Sequence, residues 1–75
     1  EKEIEQVWLL VLKEGSTATY RLFLPPCCCW LWERSDGGPE LVHSPDLAFY
    51  TPDMALQCLI RCHSTDTYRP SAKRI

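Results

Sequence analysis

A chain of 75 residues has room for one hydrophobic core and no more, because surface-to-volume scaling leaves so short a chain only marginally buried. Its 45% hydrophobic content, with three Trp, three Tyr and two Phe against 24% charged residues, excludes a disordered segment. A net charge of −2 does not support general nucleic-acid binding, which requires a basic face over the whole domain, and no apolar run reaches the ~18 residues that span a bilayer. The expectation is therefore a single small binding domain over residues 1–75. Because it starts at Glu1 rather than Met, the chain reads as a piece excised from a longer protein.

From Ile4 to Leu12 the chain is nearly all apolar and rich in Val, Leu and Trp, which suits a core strand. After a turn at Lys13–Ser16, the residues Ala18, Tyr20, Leu22 and Leu24 alternate with Thr19, Arg21 and Phe23. This period of two predicts a half-buried strand paired with the first. Pro25-Pro26 cannot donate ladder hydrogen bonds and ends that strand. The short aromatic run from Cys27 to Glu33 then predicts a third strand. Ser35-Asp36-Gly37-Gly38-Pro39 is the strongest turn signal, with a fourth strand expected at Glu40 to His43.

Two similar pieces follow, Ser44-Pro45-Asp46-Leu47-Ala48 and Thr51-Pro52-Asp53-Met54-Ala55. Each places a hydroxyl before a proline and an acid after it, the order of an N-cap, a proline in the first helical turn and a carboxylate at the positive helix end. This favours a helix from Pro52 to about Cys62. Met54, Leu56, Cys58, Ile60 and Cys62 also alternate with Ala55, Gln57, Leu59 and Arg61, so a strand is the rival reading. Residues 64–75 form a polar, basic end or an edge strand. The fold class expected is α+β: a small antiparallel sheet or half-barrel of four or more strands packed against one helix.

Five cysteines are an odd count, and Cys27, Cys28 and Cys29 are adjacent, where bridging neighbours is geometrically poor. Free thiols in a reducing compartment follow, which places the protein in the cytoplasm or nucleus. With His43, Cys58, Cys62 and His63, the triplet supplies seven soft donors for a metal, yet only Cys58-x-x-x-Cys62 has the spacing of a zinc knuckle. Buried cysteines acting as small apolar residues explain them without a metal, and no cofactor is expected. The triplet lies beside aromatic residues, a setting that also allows lipidation. Cys62 and His63 are sequence neighbours that point apart, and neither a phosphate loop, a serine elbow nor paired carboxylates occurs, so the domain is expected not to be an enzyme. At the other end, Arg69, Lys73 and Arg74 follow Tyr68, a grouping of guanidinium and aromatic chemistry that can grip phosphates or carboxylates.

Taken together, Trp8, the Glu14-Gly15 turn, Tyr20, Tyr50-x-x-Asp53-Met54 and Arg69-Pro70-x-x-Lys73-Arg74 resemble the WWE domain family over nearly the whole chain. The resemblance implies a half-barrel of strands on one helix, in ubiquitin ligases or ADP-ribosyltransferases, often reading the iso-ADP-ribose unit of poly(ADP-ribose). It implies that Tyr50 stacks on adenine, that Gln57 contacts the ribose region, and that Arg69 and Lys73 clamp phosphate. In this register Thr17 stands where the family has its second Trp, and Pro25-Pro26 falls where it has its helix. The family also sets the Tyr50 segment in a strand. A second register would place Trp30-x-Trp32-Glu33 and Asp36-Gly37 on the family's opening hairpin. The function expected is a non-catalytic interaction domain, a divergent WWE-like reader of poly(ADP-ribose) in a ubiquitination or ADP-ribosylation protein. The alternatives are a protein-protein interaction domain with no small ligand and a zinc-stabilised structural module.

Overall fold

The computed structural model of the chain describes residues 3–26, 29–39, 43–44 and 48–75. The alternation read from 18 to 24 builds the first hairpin. Strands β1 (Glu5–Val11) and β2 (Thr17–Phe23) pair antiparallel, from Glu5 opposite Phe23 to Val11 opposite Thr17. Successive side chains leave opposite faces of a strand, so Leu10, Ala18, Tyr20 and Leu22 are fully buried on one side. Val7, Leu9, Thr19, Arg21 and Phe23 take the other side and are half-buried.

A 3-10 turn at Lys13–Gly15 joins the two strands, closed by the Leu12 N–H donating to the Ser16 carbonyl at 2.7 Å. Glu14 and Gly15 both have positive φ, 67° and 79°. Glycine adopts that backbone freely, whereas a residue with a Cβ does so at a cost of roughly 1–2 kcal/mol.

Strand β3 (Leu31–Arg34) flanks β2, and β4 (Ser71–Arg74) flanks β1, each antiparallel to its neighbour, giving the order β3-β2-β1-β4. The apolar run at the start of the chain thus becomes an interior strand. The basic end supplies an edge strand, one of its two expected forms. The third ladder begins later than the aromatic run suggested, at Leu31. Trp30, just ahead of it, donates its N–H to the Phe49 carbonyl at 2.9 Å. Cys27, Cys28, Glu40 to Val42 and Pro45 to Leu47 lie outside the described residues, and with them most of the expected strand at 40–43 and of the first Ser-Pro-Asp piece.

After β3 the Asp36 carboxylate organises the turn. It accepts from Gly38 N at 2.9 Å, from Thr19 N at 3.1 Å and from Arg34 Nε at 2.7 Å. These bonds, the Arg34 bond foremost, hold its carboxyl far below the usual carboxylate range.

Helix α1 (Pro52–Cys62) forms as its capping order dictates: Thr51 is the N-cap, its Oγ1 accepts from Met54 N at 3.2 Å, and Pro52 fills the first turn. Asp53 and Arg61 stand at the ends that the helix dipole favours. At the other end His63 caps the helix, and Ser64 Oγ donates to the Ile60 carbonyl at 2.7 Å. The buried set, Ala55, Leu56, Leu59 and Ile60, has helical spacing. It is not the alternating set of a strand. α1 packs over β2 and β3, closing a core with Leu10, Tyr20, Leu22, Trp30, Trp32 and Phe49. The result is the expected α+β class, a four-stranded antiparallel sheet packed against one helix.

Candidate functional site

Burying one stripe of α1 leaves the neighbouring stripe outward. There Asp53, Met54, Gln57, Cys58 and Arg61 line an open groove of about 360 Å³ whose remaining wall is Phe49. Phe49 is backed by a stacked contact with Trp32, ring centroids 5.7 Å apart. Met54 is 47% exposed and Tyr50, just ahead of the cap, is 77% exposed, so both offer apolar surface beside the groove. Asp53 and Arg61 stand eight residues apart, about 12 Å along the helix axis. Among the described residues neither has an ion-pair partner. The groove therefore offers an apolar floor between an unpaired anion and an unpaired cation.

The residues singled out from the sequence divide between two faces. Gln57 and Arg69 come together, with Arg69 Nη2 donating to Gln57 Oε1 at 2.9 Å, because the turn into buried Pro70 brings the end of the chain back beside α1. Tyr50 sits at the start of the same helix, where the resemblance implied a strand. Lys73 is separated from them. It pairs with Leu9, an outward position of β1, so alternation sends its side chain to the face away from α1. Arg74, on the inward side, is held by Glu3. Tyr68 donates its hydroxyl to the Val11 carbonyl at 2.5 Å and ties the final segment to the hairpin.

Of the groove residues only Gln57 was expected from the sequence to bind a ligand; Phe49, Asp53, Met54, Cys58 and Arg61 were not. A signal was present for Met54: with Cys58 it forms an apolar i, i+4 pair just outside the stripe that a helix must bury. No such signal marks Phe49, which comes from a stretch without periodicity.

Thiol and imidazole chemistry is arranged differently from the sequence-neighbour dyad. His63 turns inward, its Nε2 2.9 Å from the hydroxyl of fully buried Tyr20, the rings edge-to-face. Burial and then the nearby Arg34 guanidinium push its pKa below the ordinary imidazole value. Cys62 instead stands one turn beyond Cys58 on α1. Its thiol is pushed up by burial, then by Cys58 itself, with Arg61 opposing. Cys29, Cys58 and Cys62 are not in disulfides, and among the described residues no three His, Cys, Asp or Glu side chains converge as a metal cluster. Nor, among them, is any helix long and apolar enough to cross a membrane.

The fold and groove define a small α+β domain with an open helix face. In comparison with known proteins, no family model, no curated protein and no solved structure matches the chain.

Proposed function

We propose that this is a non-catalytic interaction domain that receives a segment of another protein in the groove along α1. The observation that carries the reading is the pairing of an open apolar groove with unpaired, opposite charges at its two ends. An occupant matching that chemistry carries one or two apolar side chains for the space between Phe49, Met54 and Cys58. It places a cation toward Asp53 and an anion toward Arg61. Exposed Tyr50 extends the contact, since a tyrosine buries much area at little entropic cost. The odd cysteine count, with three adjacent, supports an intracellular setting, cytoplasm or nucleus.

Selection from a random peptide-display library tests this. The expected binders have the cation-apolar-anion order, lose affinity for the Asp53→Lys, Arg61→Glu double variant, and regain it when the peptide's charges are exchanged. Binders indifferent to both reversals would reject the groove.

A second reading, a reader of poly(ADP-ribose) in a ubiquitination or ADP-ribosylation protein, draws its support from the contact between Arg69 and Gln57 and from the exposure of Tyr50, and has against it the Thr51-capped helix where the resemblance implied a strand. There Arg69 grips phosphate and Tyr50 stacks on adenine; Lys73, facing away from α1, adds only long-range attraction. Titration with iso-ADP-ribose is expected to move the signals of Tyr50, Gln57 and Arg69. Unmoved signals at millimolar ligand remove it.

A further inference from the structure

One pair of groups is used neither by the core nor by the interaction reading. Cys58 and Cys62 stand one turn apart on the same face of α1, Cys58 half-buried and Cys62 exposed. Neighbours at this spacing have Cβ atoms about 5–6 Å apart, whereas a disulfide needs roughly 3.5–4.5 Å. The intact helix therefore keeps the two sulfurs close without letting them bond. A single atom between them has more room, for at metal–sulfur bonds of about 2.3 Å a linear bridge spans roughly 4.5 Å.

We infer that Cys58 and Cys62 form a two-thiolate site for a soft monovalent cation, Cu(I). Zinc needs four donors, and among the described residues no third converges here. Cu(I) is satisfied by two, and thiolates select it over harder ions. Binding displaces both thiol protons and forms two Cu–S bonds, with no change in oxidation state: one Cu(I) and two thiols give a bis-thiolate complex of charge −1 and two protons. Arg61, which already acts electrostatically on Cys62, lies beside that negative charge. The site does not depend on what occupies the groove, although Cys58 belongs to its wall.

The test is an anaerobic titration of Cu(I), buffered by bicinchoninate, into the C27S/C28S/C29S variant, which leaves only the helix pair. One ion per chain is expected, with two sulfur neighbours by X-ray absorption and two protons released near neutral pH. Adding C58S or C62S is expected to abolish binding while the far-ultraviolet circular dichroism stays unchanged. No binding by the triple variant, or binding that survives loss of Cys62, overturns the site. Should the triple variant fail to fold, C58S and C62S are made in the unaltered chain. There each must lower the copper stoichiometry by one ion, and an undiminished stoichiometry overturns the site as well.

Discussion

Replacing Leu59 by alanine, with Met54→Ala as its partner, tests which face of residues 52–62 the core claims. Leu59 is fully buried beneath α1, in the cluster that includes Tyr20, Leu22 and Trp32, whereas Met54 is 47% exposed. Truncating a buried leucine removes transfer free energy and leaves a cavity, together about 3–5 kcal/mol. Total stability for 75 residues is of the order of 4–11 kcal/mol, so Leu59→Ala should cost about a quarter of it or more. Met54→Ala should stay within about 0.5 kcal/mol. Urea unfolding followed by tryptophan fluorescence reads both. With a slope near 1 kcal/mol per molar, the Leu59 variant should lose roughly 3 M of midpoint or unfold outright, and the Met54 variant should move by less than about 0.5 M. In a strand, Met54, Leu56, Cys58, Ile60 and Cys62 would share the inner face and Leu59 would lie outside. A costly Met54→Ala beside a mild Leu59→Ala would therefore refute the helix and the groove built on it.

Three further outcomes follow from local geometry. Thr51→Ala removes the side-chain acceptor for Met54 N and should cost about 1 kcal/mol by the same urea assay, while Thr51→Ser should restore most of it. Gly15→Ala meets no atom within 4 Å, so any loss is backbone strain at φ +79°; about 1 kcal/mol is expected, with crystallographic or NMR evidence of an unmoved hairpin. His63 has a folded pKa below its unfolded value, so the unfolded chain takes up more protons as acidity rises. Its contribution is fully present above about pH 6.5, is lost as pH falls through that value toward the folded pKa, and should vanish in His63→Gln, read as a flatter stability-pH profile between pH 7.5 and 5.5.

The hairpin was legible because Ala18, Tyr20 and Leu22 alternate with polar neighbours, and that period can bury only one face. The helix was legible from three residues, Thr51-Pro52-Asp53, whose chemistry acts locally and needs no tertiary context. Apolar alternation through 54–62 pointed the other way because Met54 and Cys58, though apolar, are left on the groove side. Hydrophobicity reports what can be buried, not what is. The candidate ligand residues were less legible for a related reason. Arg69 and Lys73 look equivalent in a basic tail, yet Pro70 separates a turn residue from a strand, and strand parity then sends Lys73 to the far face. The contact between Arg69 and Gln57 joins residues twelve apart through a chain reversal that no local pattern encodes. Phe49 was unreadable because its burial depends on stacking with Trp32 across the fold.

The central claim is that a protein segment docks along α1. Amide chemical-shift mapping of the labelled domain with a peptide from the display selection tests it most directly. The account predicts saturable shifts centred on Asp53, Met54, Gln57, Cys58 and Arg61, with the tyrosine ring of Tyr50 also perturbed. Shifts centred instead on Val7, Leu9, Phe23 and Leu31, the open face of the sheet, would contradict it.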